Sequence, residues 1–347
     1  MSTLLEYECP RCGGAVAFDA QLQKIKCPYC DSVFELEQVK AKAEAAPQTE
    51  CAADSDWSDE VNSYVCSSCG GEIISDANTV ATSCPYCESP VVMNSRVDGI
   101  LRPDLVIPFK LDKAAAKAAL QKHISGKILL PKCFKSENRI EKIQGVYVPF
   151  WLYDAASDGD AYYEATNDRH WSDSDYNYTE TSYYEVRRAG NMHFEAIPVD
   201  GSAKIADDLM ESIEPYDLSQ AVDFKTAYLA GYLADKYDVD QNACKERALA
   251  RIRNSTRQAL RDTVTGFDRV SEKDAQVNIE EGRIRYALMP VWILNTTYRG
   301  QQYTFAMNGQ TGKMVGNLPM SKTAYWLWFA GITTLTTLVA MLIGLFI

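Results

Sequence analysis

The sequence predicts an α+β protein with two tandem cysteine modules at its N-terminus, a central, mainly antiparallel α+β domain, and one apolar helix at its C-terminus. Three observations predict it. Eight of the eleven cysteines fall in C-x2-C pairs, all in the first quarter of the chain. The middle of the chain carries short apolar runs and polar-apolar alternation broken by turn residues, a strand pattern interrupted by three helical stretches. The final 24 residues, Ala324 to Ile347, contain no charge. The expected segments are 1–38 and 63–98 for the cysteine modules, 39–62 for an acidic linker, 99–320 for the α+β domain and 324–347 for the apolar helix.

Composition narrows the class. At 347 residues the chain has room for two or three domains. Its 46% hydrophobic and 24% charged residues are those of a folded protein. Acids outnumber bases 47 to 35, for a net charge of −12. Surfaces that bind phosphate need Lys and Arg in excess, so nucleic acid is disfavoured as a general partner.

The cysteine modules are copies of each other. Cys9, Cys12, Cys27 and Cys30 form C-x2-C-x14-C-x2-C, and Cys66, Cys69, Cys84 and Cys87 repeat that spacing 57 residues later. The neighbours repeat too: Cys12-Gly13-Gly14 matches Cys69-Gly70-Gly71, and Cys27-Pro28-Tyr29-Cys30 matches Cys84-Pro85-Tyr86-Cys87. Two residues between cysteines let one tight turn aim both sulfurs at a single ion, and two such turns complete a tetrahedron. Gly13 and Gly70 supply the positive φ that such a turn needs. Each module is therefore expected to be a zinc ribbon, a short hairpin with one cysteine turn at each end. Four sulfurs close the coordination sphere, so each zinc ion would be structural. Disulfides, a redox pair or a single iron are the competing uses of these thiols. The first ten residues have neither a basic start nor an apolar run. Export is not expected, and reduced thiols favour metal. Cys51, Cys133 and Cys244 stand alone and read as small buried hydrophobes or incidental thiols.

The acidic, Ala-rich stretch from Glu37 to Glu60 reads as a linker. Beyond it, Leu105 to Phe109 is an expected strand, and Asp112 caps an expected helix through Ile124 that Gly126 stops. Val146 to Tyr153 is an expected strand. The runs Gly145 to Leu152 and Tyr286 to Ile293 resemble each other and each carries a proline, which predicts edge or bulged strands. Asp154 to Val199 reads as antiparallel strands with a wet face. Its acids Asp158, Asp160, Asp173 and Asp175 do not match an EF-hand loop. Helices are expected over about Ala227 to Tyr237 and Asn242 to Val264. The second carries Lys245, Arg247, Arg251, Arg253, Arg257 and Arg261, which would either meet anionic lipid or an acidic partner, or pair with the chain's own acids. Strands are expected at Val277 to Ile279, Ile284 to Thr297 and Tyr303 to Met307, with turns at Arg299-Gly300 and Asn308-Gly309.

Ala324 to Ile347 as a helix would be ~36 Å long, enough for a ~30 Å hydrocarbon core. Tyr325, Trp326 and Trp328 cluster at its start, where aromatic rings sit at headgroup depth. The expected reading is a single membrane span with the bulk of the chain on the cytoplasmic face. No catalytic pattern emerges: His123, His170 and His193 are scattered, and Gly309-Gln310-Thr311-Gly312-Lys313 lacks the spacing of a phosphate loop. No enzyme activity is expected.

The duplicated ribbon, Val148 to Tyr153, Leu288 to Trp292 and Tyr303 to Lys313 together resemble a bacterial family of TFIIB-type zinc-ribbon membrane proteins (YdjG-like). The resemblance runs from Leu4 through the tail. It implies a role in envelope stress beside SPFH-domain and PspA-like membrane-remodelling proteins. The resulting expectation is a membrane-anchored scaffold whose ribbons are docking knobs on a flexible linker, binding partner proteins. A membrane-tethered nucleic-acid-binding regulator and a thiol redox enzyme are the alternatives. Against the former, the first ribbon holds four bases and six acids over Glu6 to Lys40.

Overall fold

The computed structural model describes residues 3–39, 41–45, 61–65, 72–76, 79–83, 90–93, 102–131, 134 and 140–346. It is a mixed α+β protein ending in an apolar helix. Cys66, Cys69, Cys84 and Cys87, and the lone Cys51 and Cys133, lie outside the described residues.

The N-terminal segment forms strands β1 (Thr3–Tyr7), β2 (Ala17–Asp19), β3 (Lys24–Lys26) and β4 (Val33–Phe34), with β2, β3 and β4 in one small antiparallel sheet. Leu36–Gln38, at the end of the expected first module, is a 3₁₀ turn, and within the stretch expected as linker β5 (Ala41–Ala45) pairs antiparallel with β1. Strands β6 (Val61–Val65) and β7 (Glu72–Asp76) form a separate hairpin. Strands β8 (Thr79–Ser83) and β9 (Pro90–Met93) pair with each other, and β9 also pairs with β1.

The central domain is built from two interlocked β-α-β-β halves. The first comprises β10 (Leu105–Val106), α1 (Lys113–Ile124), β11 (Gln144–Ser172) and β12 (Asn177–Asp200). The helix α2 (Asp207–Ser212) and the short strand β13 (Val222–Asp223) follow. The second half comprises β14 (Leu233–Asp235), α3 (Gln241–Asp262), β15 (Arg269–Tyr298) and β16 (Gln301–Asn308), and β17 (Met314–Gly316) closes the sheet. Each half lends its first strand to the other: β10 lies parallel to β15, and β14 parallel to β11. Each also holds the other's helix start. Trp292 Nε1 donates to Leu111 O at 3.0 Å, just before the Asp112 cap, and Trp151 Nε1 donates to Val239 O at 2.9 Å, just before the Asp240 cap. The likeness of the two proline-bearing runs thus reflects two equivalent positions in the fold.

Those prolines are not on edges. Strands β11 and β15 are neighbours inside the sheet, with Pro149 opposite Leu288 and Pro290 opposite Tyr147. Pro149 O accepts from Gly201 N at 2.9 Å and Pro290 O from Gly309 N at 2.8 Å. In an extended strand a residue's nitrogen faces the same side as its carbonyl. Each proline nitrogen therefore meets a gap, between β14 and β12 in one case and between β10 and β16 in the other. No ladder bond is lost where neither neighbour reaches.

The expected helix over 227–237 is also corrected. Thr226–Leu229 is a 3₁₀ turn and Leu233–Asp235 is β14. Gly231 at φ +89° breaks any helix between them. The helix expected through Ile124 is present, with Asp112 Oδ1 accepting from Ala115 N at 2.8 Å and Gly126 at φ +72°. Arg299 and Gly300, both at positive φ, make the tight turn between β15 and β16.

One face of the sheet packs on α1 and α3 through Tyr147, Trp151, Leu288, Trp292 and Phe305. The other face packs on α2 through Phe150, Met289 and Val291. At Asp154 the register of β11 shifts, and beyond it only β11, β12 and β15 continue. They form a three-stranded antiparallel arm. Its odd-numbered β11 residues face α3, and Asp158, Asp160 and Tyr162 face outward, which is the wet face expected from the sequence. Gly159 lets α3 approach: an added Cβ would stand 2.8 Å from Thr256 Cγ2 and from Leu260 Cδ1. Gly159→Val should lower stability by about 1–3 kcal/mol through overpacking. Urea denaturation checks this, and an unchanged midpoint would mean that α3 does not rest on the arm.

The C-terminal helix α4 (Lys322–Phe346) spans ~38 Å by its length of 25 residues. It is long and apolar enough to cross a membrane, and none of its Lys322–Met341 stretch is buried in the protein. A core helix of a soluble protein would be covered. Thr333 and Thr337 hydroxyls each donate to the carbonyl four residues back, at 2.8 Å, so their polarity is satisfied within the helix.

Candidate metal centre

The two cysteine turns of the N-terminal module are built alike. In the first, Gly13 N donates to Cys9 O at 2.9 Å and Cys9 N to Gly14 O at 2.8 Å. In the second, Asp31 N donates to Cys27 O at 3.0 Å and Cys27 N to Ser32 O at 2.9 Å. The residue after each second cysteine has positive φ, +74° at Gly13 and +54° at Asp31. The glycine was legible in the sequence. The aspartate was not, although Asp tolerates this region better than most side chains.

These turns bring the four sulfurs within 4.8 Å of one another. Cys9 and Cys30 Sγ stand 3.6 Å apart, as do Cys12 and Cys27 Sγ. A disulfide requires ~2.05 Å, so the thiols are free. A tetrahedral ion with metal–sulfur bonds of ~2.3 Å places its sulfurs about 3.8 Å apart, so the cage fits one such ion. Arg11 N points at Cys9 Sγ from 3.4 Å, a donor suited to a thiolate. Cys9 and Cys27 are buried and Cys12 is exposed.

Two thiols of the cage shift in opposite directions. The Ser32 hydroxyl, then its backbone N–H, holds Cys30 down to about 6. At Cys12 the Gly14 N–H favours the thiolate, but the Cys30 and Cys27 sulfurs outweigh it and push the thiol up to about 12. With no cation beside it, Cys12 therefore stays a thiol near neutral pH. A divalent ion would accept all four thiolates and release protons as it binds, so its affinity falls as pH falls. An ion held by all four cysteines would have no open position, the arrangement of structural sites.

The module is not a free knob. Its apolar residues Val16, Phe18 and Ile25 share one cluster with Ala227 and Ala230 of the central domain. In its hairpin turn, Gln21 and Gln23 donate to Asp112 Oδ2 and Phe109 O of the central domain, partners far away in sequence.

Other candidate residues have local partners. On α3, Arg247 pairs with Asp200, Asp207 and, at 3.8 Å, Glu211. Arg251 grips Glu214, Arg257 pairs with Glu272, and Lys245 with Glu281 at 2.8 Å. Arg261 leans on Val264 O at 3.4 Å, and Arg253 is exposed. Most of this helix's charge is therefore paired with the chain's own acids. Asp160 binds Arg187 at 2.9 and 2.6 Å, and Asp173 accepts from Asp175 N and Tyr176 N to close the arm's tip. Cys244 is buried, and that burial pushes its thiol up to about 11, so it is not a reactive nucleophile.

Among known proteins, the uncharacterized protein YdjG of Bacillus subtilis (strain 168) is 35% identical over 342 residues, covering 99% of this chain and 98% of that one. No family model matches the chain, and no solved structure does.

Proposed function

This chain belongs to the YdjG family, and from that footing we propose that it is a membrane-anchored, cytoplasm-facing scaffold that uses structural zinc to present protein-docking surfaces. The observation that carries the reading is the closed four-sulfur cage, which stabilises a fold without offering a reaction site. Zinc is the proposed ion for Cys9, Cys12, Cys27 and Cys30. By the repeated spacing, a second zinc ion would use Cys66, Cys69, Cys84 and Cys87. The uncovered α4 supports the anchor. Reduced thiols, and Lys313 and Lys322 ahead of the uncharged stretch from Ala324, support the cytoplasmic side. SPFH-domain and PspA-like membrane-stress proteins are the proposed partners, on the resemblance of the ribbon and the later segments to that bacterial family.

Deleting residues 322–347 should move the protein from the membrane fraction entirely to the soluble fraction, read by fractionation and immunoblotting. A protein that still pellets with membranes would refute α4 as the sole anchor. Tagged full-length protein captured from detergent-solubilised membranes should bring down an SPFH-domain or PspA-like protein. Recovery of polymerase or other nucleic-acid machinery in its place would replace the scaffold with a nucleic-acid role.

A further inference from the structure

The first cysteine module is too small to fold on its own core. Its interior is completed by a seat on the central domain, the segment from Thr226 to Tyr232. Phe18 N donates to Ala230 O at 2.9 Å, which extends the ribbon's strand onto that seat. The Phe18 ring meets Tyr228 edge-on, with centroids 5.2 Å apart. Gly231 passes so close that an added Cβ would stand 2.9 Å from Ala17 Cβ.

The hairpin turn of the module reaches further, to the start of α1. Gln21 Nε2 donates to Asp112 Oδ2 at 2.6 Å, the oxygen that the helix cap leaves over. Gln23 Nε2 donates to Phe109 O at 2.7 Å. Phe109 is fully buried. It stacks on Tyr232 at 4.1 Å and meets Trp292 edge-on at 5.2 Å. The ribbon therefore closes over an aromatic cluster that joins both halves of the domain.

We propose that the first cysteine cage is a metal-dependent clamp: an ion in the cage holds the ribbon on the seat at Thr226–Tyr232 and on the start of α1, and loss of the ion releases both. The proposal rests on the reading of the cage as a zinc site. A ribbon of this size owes its fold to its metal, and the contacts that hold it down exist only when it is folded. Coupling of this kind is reciprocal, so a weakened seat must also weaken the metal.

The test uses the full chain in detergent, with zinc as the probe. Zinc content is measured first. Amide hydrogen exchange is then followed with zinc bound and after chelation. Exchange at residues 226–232 and 113–116 should rise at least tenfold on chelation, with the arm strands unchanged. If the cage binds zinc but exchange at 226–232 is the same with and without it, the clamp is wrong while the zinc reading stands. If the cage binds no zinc, both fall. Two variants that leave every cysteine in place read the coupling from the other side. Gly231→Ala adds the Cβ that Ala17 has no room for, and Gln23→Ala removes the bonds to Phe109 and Ala20. Each should bind zinc roughly tenfold more weakly in competition with a chromophoric chelator. Wild-type affinity in both variants would overturn the clamp.

Discussion

Cys27→Ser should strip the first cage of its metal and unfold the ribbon around it. Cys27 is wholly buried, and its backbone closes the second turn through Ser32 O and Asp31 N. Serine keeps that shape but is a poor ligand for a soft thiolate site. Structural zinc supplies about 10–16 kcal/mol of apparent folding free energy in ribbons of this size. The apolar residues of the module cannot make up such a deficit. The expected result is the loss of one equivalent of bound zinc, together with rapid proteolysis within residues 3–39 under conditions where the wild type resists. Unchanged metal content in the variant would show that the cage is not the site.

Removing Arg247 should cost the central domain about 3–5 kcal/mol, because it strands the Asp200 carboxylate without its cation. Asp200 is 2% exposed and Arg247 is its ion-pair partner. Burial raises the Asp200 carboxyl to about 6 even though Arg247 pulls it down. A folded pKa above the unfolded ~3.9 means that the folded state holds the proton more tightly. The contribution of this group is fully present below about pH 4 and is lost as pH rises through about 6. In Arg247→Ala the downward pull is gone, so the carboxyl protonates at still higher pH. The variant's deficit should therefore be smaller at pH 5 than at pH 8, measured by urea denaturation at both. Asp200→Asn in the same background should recover most of the loss. A deficit independent of pH, or no recovery by the asparagine, would place the cost of the variant elsewhere.

What could be read from the sequence was what is encoded locally. The cysteine turns depend on a few neighbouring residues. So does α1, with Asp112 before it and Gly126 after it, and so does α4, by its apolar length. What was missed depends on distant partners. Pro149 and Pro290 were read as marks of an edge or bulged strand because a proline inside a sheet normally breaks a ladder. They are tolerated because two pairs of neighbouring strands stop short on either side of each. The segment 227–237 has the Ala, Leu and Tyr content of a helix, but Gly231 and the free side of β11 make it a seat and a strand. Strand β15 was read in pieces, since Asp274, Glu280 and Glu281 break its apolar pattern. Asp274 and Glu280 stand opposite Tyr162 and Ala156 on the outward face, where such residues cost little, and Glu281, on the side of α3, is paired with Lys245. On the metal centre, the spacing identified Cys9, Cys12, Cys27 and Cys30 as one cage, but not that the folded module would be fixed to the domain behind it.

The arm has a consequence for reach. The joint to the apolar helix lies near Leu129, whose carbonyl accepts from Ser321 N at 2.8 Å. The hairpin tip at Asp173 lies at the other end of β11, a strand of 29 residues. At ~3.2 Å per residue the strand is roughly 90 Å long. A flexible chain of that many residues would wander, with a mean end-to-end distance of about 30 Å and its end rarely far from its start. A twisted three-stranded ribbon braced by α3 keeps its length and direction. Whatever meets the tip would be met at one fixed radius from the anchor, and the local concentration of the tip would be gathered in that shell rather than spread through the volume inside it.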